Sequence, residues 1–74
     1  MSKNWEEVWE IRGISEKDYN RAFRGSGVNV VDNTVLCRKE PDGLWVRIAI
    51  RKKEKESVKM KMRWVLKEIG FHKI

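Results

Sequence analysis

The stretch from Val35 to Gly70 constrains the fold most, because it predicts a β-hairpin followed by a closing helix. Two apolar runs, residues 35–37 and 44–50, flank the tetrapeptide Glu-Pro-Asp-Gly at 40–43. Proline presets the backbone at the second position of a turn, and the aspartate and glycine after it favour a tight reversal. We therefore expect a hairpin over residues 34–51 at the centre of a small antiparallel sheet.

Alternation along the second strand separates an apolar face from a mixed one. Successive side chains of a strand point to opposite faces, and the apolar set is Leu44, Val46, Ile48 and Ile50. Pairing of Glu40 with Leu44 across the turn would place Leu36 opposite Ile48 on this face. The mixed face would carry Trp45, Arg47, Ala49 and Arg51, with Val35, Cys37 and Lys39 beside them.

The closing helix is predicted over residues 57–69, with Ser57 as its cap and Gly70 as its stop. At about 100° per residue, five apolar side chains cluster on one side: Val58, Met62, Val65, Leu66 and Ile69. Residues 58–64 also alternate strictly, which leaves a strand as the alternative, but their residue types are good helix formers. Phe71 would fold back onto the core, and residues 72–74 would form a short tail.

The first half of the chain predicts shorter elements. Residues 7–12 could be a strand or part of a helix, and we favour the strand because they are rich in strand formers. Residues 15–24 predict a helix that Ser15 caps and that Tyr19 and Phe23 dock on the core. Residues 25–27 predict a loop and 28–31 a short strand. The chain is therefore expected to be a single α+β domain, 1–74, with three to four antiparallel strands covered by helices 15–24 and 57–69.

The charge is distributed unevenly along the chain. The net charge of +6 divides into −1 for residues 1–37, from five basic and six acidic groups, and +7 for residues 38–74, from twelve and five. A strongly basic segment attracts polyanionic partners over long distances. A solvated lysine-rich surface without a partner is the alternative interpretation.

Composition makes several classes of protein unexpected. One cysteine and one histidine cannot form an internal disulfide or a closed zinc site. Cys37 is expected to be a buried thiol, and His72 a residue of the tail. We expect no catalytic residue, no metal and no cofactor. Since the sequence has neither a secretory signal nor a membrane span, we expect a soluble protein in the cytoplasm, or in the host cytoplasm if the gene is viral. The sequence leaves open whether the chain is a monomer or a homodimer.

The Pro41-Asp42-Gly43 turn and the closing helix together resemble small double-stranded-RNA-binding-like folds, including a class of small toxin ribonucleases. Such a nuclease would need a histidine after the Gly-Ser pair at 25–26, where this sequence has Gly27. The resemblance therefore carries no function over to this chain.

Nucleic-acid binding is the function that the sequence favours, because phosphates attract cations and unpaired bases stack on aromatic rings. The candidate contacts to nucleic acid or to an acidic partner are Lys39, Arg47, Arg51, Lys52, Lys53, Lys55, Lys59, Arg63 and Lys67. The candidate stacking or anchoring residues are Trp45, Met60 and Trp64. Lys59, Arg63 and Lys67 would form a basic stripe beside the core face of the closing helix, with Met60 and Trp64 beyond it.

The alternative function is docking on a protein, such as inhibition of a larger nucleic-acid-processing enzyme by a small phage- or plasmid-encoded protein. Exposed tryptophan and methionine are enriched at protein interfaces. Met60 and Trp64, together with Trp5 and Trp9, could form such a patch.

Overall fold

The computed structural model describes residues 4–24 and 34–74. These residues form one four-stranded antiparallel sheet and two helices, which confirms the predicted α+β class. In chain order the elements are β1 (Trp5–Ile14), α1 (Glu16–Arg24), β2 (Val35–Glu40), β3 (Gly43–Arg51), α2 (Glu56–Ile69) and β4 (His72–Lys73). The strands lie in the order β2-β3-β1-β4.

The order of elements, β-α-β-β-α-β, is that of the split βαβ motif. Both helices pack on the same side of the sheet, with Tyr19 and Phe23 of α1 and Met62 and Leu66 of α2 against the core strands. We call this side the covered face and the opposite side, on which no described helix packs, the open face. Many unrelated proteins share this motif, so function must be argued from the side chains.

The core lies between β3 and the two helices. Val46, Ile48 and Ile50 of β3 have no exposed surface, as their alternation predicts. Phe71 is buried after α2 and its backbone N–H donates to the carbonyl oxygen of Leu66 at 2.9 Å, which confirms the predicted fold-back. Burial of side chains of this size stabilises the fold by about 1.5–3 kcal/mol each.

The register of the hairpin corrects the prediction by one residue. Glu40 pairs with Gly43, so the loop consists of residues 41–42 alone, and Leu36 lies opposite Arg47 rather than Ile48. A shift of one residue moves every side chain of a strand to the other face. Leu36 therefore lies on the open face, where it is 56% exposed, and Val35 packs against the core instead.

Gly43 holds the turn end of the hairpin close to β1. A Cβ atom at this position would lie 2.8 Å from the carbonyl carbon of Gly13 and 2.9 Å from the carbonyl oxygen of Ile14. Both neighbours are backbone atoms, which cannot move aside as a flexible side chain does. Glycine is therefore needed here for the close approach of the two strands, in addition to its role in the turn.

The helices begin and end close to the predicted positions. Ser15 caps α1, since its Oγ accepts a hydrogen bond from the backbone N–H of Asp18 at 3.1 Å. Helix α2 begins one residue earlier than predicted, after Lys55, whose side chain makes no capping hydrogen bond, so Ser57 is not the cap. Gly70 ends α2 as predicted, and its N–H donates to the carbonyl oxygens of Leu66 and Lys67.

The first and last described strands pair with each other in the sheet. Residues 7–12 lie in β1, which confirms the strand and extends it. The predicted tail is instead β4, which pairs with β1 through Trp9 opposite Lys73. The predicted loop 25–27 and strand 28–31 lie outside the described residues. Neither α1 nor α2 is long and apolar enough to cross a membrane.

A bulge at the start of β1 reverses the orientation of its first side chains. The pairing with β3 shifts between Trp5 and Glu7. Strict alternation outward from the buried Trp9 would put Trp5 on the covered face and Glu6 on the open face. Instead, the Glu6 carboxylate bonds Lys59 of α2, and Trp5 lines a depression on the open face. Bulges commonly redirect a side chain in this way.

Candidate functional site

The open face carries more positive than negative charge across three adjacent strands. The register places Arg12 of β1 and Arg38 of β2 on either side of Trp45 in β3. In the next row of the sheet, Arg47 of β3 lies between Glu10 of β1 and Leu36 of β2. With Arg51 beside Trp5, and with Glu40 two residues beyond Arg38 on β2, these strands place four arginines and two glutamates on the face, a net charge of +2. It is the most concentrated patch of guanidinium groups in the described part of the chain.

Trp45 lies on the open face, as predicted, but two arginines cover it. The guanidinium carbon of Arg38 is 4.4 Å from the ring centroid, and that of Arg47 is 5.0 Å away. Both distances are those of cation–π contacts, and the side chain is only 4% exposed. The buried Nε1 of Trp45 has no acceptor among the described residues. Trp45 therefore holds the arginines in place and does not itself present a free ring.

Glu10 is the carboxylate that bonds Arg12 and Arg47 on the open face. Arg47 donates from Nη2 to its Oε2 at 2.8 Å, and Arg12 donates from Nε to its Oε1 at 3.1 Å. These hydrogen bonds, that of Arg47 first, lower the pKa of the Glu10 carboxyl below its usual value. Glu10 therefore stays ionised to a lower pH than an ordinary glutamate, and it aligns two guanidinium groups on the surface.

Trp5 lines two depressions at the end of the open face where β1 begins. The first, of about 400 Å³, is lined mainly by apolar side chains: Trp5, Val8, Val35, Leu36 and Ala49, with Thr34 and Arg47. The second, of about 300 Å³, is polar and basic, and is lined by Asn4, Trp5, Thr34, Arg51 and Lys53. The indole is 45% exposed, unlike that of Trp45.

The covered side contains a second group of charges, which bond to one another. Lys59 of α2 donates to Glu6 at 3.0 Å and to Glu56 at 3.4 Å. Arg63 donates from Nη2 to Glu6 at 2.7 Å and from Nε to Glu7 at 2.9 Å. The bond with Lys59 lowers the pKa of Glu6, and the bond with Glu6 raises the pKa of Lys59.

This network, residues Glu6, Glu7, Glu56, Lys59 and Arg63, corrects the predicted basic stripe on α2. Lys59 is 4% exposed and is therefore unavailable to a partner, and Arg63 is half-buried against β1. Burying a charge is costly unless it is paired and hydrogen-bonded, and here the acids of β1 provide that pairing. The structure therefore does not bring the predicted Lys59-Arg63-Lys67 stripe together on the surface.

The outer side of α2 is exposed as predicted. Met60 and Trp64 lie one helical turn apart and are each 65% exposed. Lys67 and Lys61 are exposed on the same helix. Trp9, expected in the same patch, is instead buried in the core, and Trp5 lies on the open face of the sheet. The four tryptophans therefore belong to four different environments.

The remaining predicted contacts lie at the edges of the sheet. Lys52, Lys53 and Lys55 are exposed in the link between β3 and α2. Lys39 is exposed on the edge strand β2, with its Nζ 3.6 Å from a carboxylate oxygen of Glu16. Cys37 is exposed on the same strand, so the expectation of a buried thiol is wrong.

Residues 4–24 and 34–74 contain no group of three or more His, Cys, Asp and Glu side chains that could hold a metal ion. Neither a scan against protein-family models nor searches of curated proteins and of solved structures found a match to this chain. The function must therefore be argued from the open face and from α2.

Sequence reasoning did not place three residues on the open face: Trp5, Arg12 and Arg38. Arg12 and Arg38 lie opposite Trp45 across the two neighbouring strands, a relation that depends on the register of both pairings. A search for arginines near each predicted strand would have found the two, but not their common face. Trp5 could not be placed without the bulge.

Proposed function

We propose that this protein is a non-enzymatic nucleic-acid-binding module and that the open face of the sheet is its binding surface. The observation that carries the proposal is the alignment of Arg12, Arg38 and Arg47 across three strands. Arginine presents several N–H donors in a planar fork that matches phosphate geometry. A sheet fixes the spacing of these forks, so a phosphate backbone can meet several of them at once.

The hydrogen bonds of Glu10 argue against a role for this carboxylate as a general base. Its carboxylate accepts hydrogen bonds from two arginines, and its pKa is lowered. A general base is most effective when its pKa lies near the working pH. A carboxylate held ionised by two cations is suited to aligning them and is a weak proton acceptor.

The test is fluorescence anisotropy of a labelled 12-nucleotide DNA strand, titrated at several salt concentrations. The logarithm of the binding constant should fall linearly with the logarithm of the salt concentration, by about 0.7 for each single-strand phosphate contacted. Arg38→Gln/Arg47→Gln should reduce that slope by about 1.4, since two contacts are lost.

The matched control is Lys61→Gln/Lys67→Gln, which removes the same charge from the outer side of α2. This variant should retain nearly the full salt slope, because it loses no phosphate contact. Only the long-range attraction between the protein and the DNA is reduced. Equal losses in both variants would mean that binding follows the net charge and not the open face. No binding even at low salt would contradict the proposal altogether.

A second candidate function is docking on an acidic protein through α2. The specific observation is the exposure of Met60 and Trp64, two large apolar side chains on adjacent turns. Large exposed apolar side chains of this kind are typical anchors of protein interfaces. Lys61 and Lys67 on the same helix would favour a partner surface of negative charge.

This candidate is tested by affinity capture from the source cell with the wild-type protein and two variants. A true partner of α2 should be retained by the wild type and by Trp5→Ala, and lost by Trp64→Ala. A protein that the wild type and both variants retain equally would not be bound through α2, and this candidate would then be abandoned.

A further inference from the structure

We infer that the depression beside Trp5 binds an unpaired base, so the nucleic acid that this protein prefers is single-stranded. The inference rests on the proposed function and adds to it a site and a class of ligand. It is carried by the position of an exposed indole between an apolar and a basic depression.

The bulge in β1 creates this site. Because the strand shifts between Trp5 and Glu7, Glu6 turns to the covered side and bonds Lys59, while Trp5 turns to the open face. The same irregularity removes a carboxylate from the open face and supplies an aromatic ring in its place. Both changes favour an anionic ligand that also has a flat apolar part.

The apolar depression fits a base. Val8, Leu36 and Ala49 line it together with the Trp5 indole, and Arg47 lines it as well. A base can stack on the indole and cover these aliphatic side chains, while the arginine reaches a polar edge or an adjacent phosphate. Stacking of this kind tolerates every base, because each has a π face.

The basic depression fits the phosphate that is attached to such a base. Arg51 and Lys53 line it, and it shares Trp5 and Thr34 with the apolar depression. A nucleotide likewise joins a flat apolar ring to an anion. The depression on one side of Trp5 is basic, and the one on the other side is apolar. Together they identify a nucleotide unit of a strand as the occupant.

A duplex does not suit this site. Its bases are stacked on one another, and only their edges are accessible in the grooves. A protein that stacks a base on its own aromatic ring must take that base from a single strand or a loop. The open face should therefore distinguish strands with free bases from duplexes.

The experiment compares three labelled 12-nucleotide DNA ligands at one low salt concentration: oligothymidine, an abasic strand of the same length, and a duplex. Oligothymidine should bind about tenfold more tightly than the abasic strand, which is a typical contribution of one stacked base. Trp5→Leu keeps apolar bulk without the ring, so the two strands should then bind equally tightly. Trp5→Phe should keep most of the preference for oligothymidine.

Trp64→Ala is the matched control, because it removes an exposed tryptophan from the opposite side of the molecule. It should leave the ratio unchanged. The inference is overturned if the abasic strand or the duplex binds as tightly as oligothymidine, or if Trp64→Ala and not Trp5→Leu lowers the ratio. In those cases nucleic-acid binding itself would still stand, whereas no binding of any ligand would overturn the proposed function as well.

Discussion

The two sides of the sheet use the same kinds of charged residue in opposite ways. On the covered side, Lys59 and Arg63 meet carboxylates of β1, with distances of 2.7–3.0 Å to Glu6 and Glu7. On the open face, the three strands place four arginines and two glutamates, and Glu10 bonds Arg12 and Arg47. The first group of cations is neutralised within the fold, and the second leaves positive charge at the surface.

This difference teaches that spacing along a helix does not decide whether a cation is available. Lys59, Arg63 and Lys67 are evenly spaced by four residues, which is the pattern of a binding stripe. Glu6 bonds Lys59 and Glu7 bonds Arg63. Both acids come from β1, more than fifty residues away in sequence. Availability therefore depends on tertiary contacts, and mutations on the two sides should affect different properties.

The largest expected effect is a loss of stability, and it should differ between two adjacent residues on the two faces of β3. Ile48→Ala should lower the free energy of unfolding by about 2–5 kcal/mol, because it removes apolar bulk from the fully buried core. Arg47→Ala should lower it much less and should weaken nucleic-acid binding instead. Urea denaturation followed by circular dichroism measures the first quantity, and anisotropy the second. Similar losses of stability for both variants would contradict the division between the faces.

A smaller loss of stability is expected from the charge network of α2. Lys59→Ala leaves Glu6 and Glu56 without their shared cation and should lower the melting temperature by several degrees. Lys61→Ala, an exposed lysine on the same helix, should change it little. Nucleic-acid affinity, compared below the melting temperature, should be nearly equal in the two variants. A selective loss of affinity in Lys59→Ala would mean that α2 contributes to binding.

The pH dependence of stability should report the same network. The pKa of Glu6 is lowered in the folded protein, chiefly by Lys59, from an ordinary value of 4.5. Its contribution is therefore complete above that value and is lost as the pH falls through the lowered pKa. The urea midpoint should decrease between about pH 5 and pH 3, less steeply in Glu6→Gln than in wild type. Glu68→Gln, an exposed glutamate of α2, should keep the wild-type slope.

The smallest expected effect is a gain in affinity. Glu10→Gln removes the acid that bonds Arg12 and Arg47 and changes the net charge of the open face from +2 to +3. Because Arg12 and Arg47 then lose a competing carboxylate, single-stranded DNA should bind a few-fold more tightly at low salt. Glu16→Gln makes the same charge change on α1 and should give a smaller gain, which anisotropy can measure. Weaker binding by Glu10→Gln would indicate that alignment of the arginines matters more than their charge.

Much of the fold could be predicted from periodicity. The apolar alternation of residues 44–50 and the helical spacing of 58–69 are strong signals, because burial enforces both. The register of β2 could not be predicted in this way. The sequence at 40–43 is compatible with a loop of two or three residues, and the choice decides which face Leu36 occupies.

The candidate site was less accessible to sequence reasoning. The apolar alternation of β3 predicts the face of Arg47 and Arg51, and the structure agrees. The same alternation predicts the face of Trp45, but its burial depends on Arg38, which comes from another strand. Trp5 required knowledge of a bulge, and no residue at that position is diagnostic of one. Local patterns therefore predicted the elements, and the contacts between elements decided the site.

The most direct test of the central claim is a ¹⁵N–¹H correlation spectrum of the protein, recorded during a titration with a 12-nucleotide DNA strand. We predict that the indole N–H signals of Trp5 and Trp45 and the amides of β1, β2 and β3 shift, while the indole signal of Trp64 stays in place. Shifts confined to Trp64 and its neighbours on α2 would show that the helix and not the open face binds, and an unchanged spectrum would contradict nucleic-acid binding.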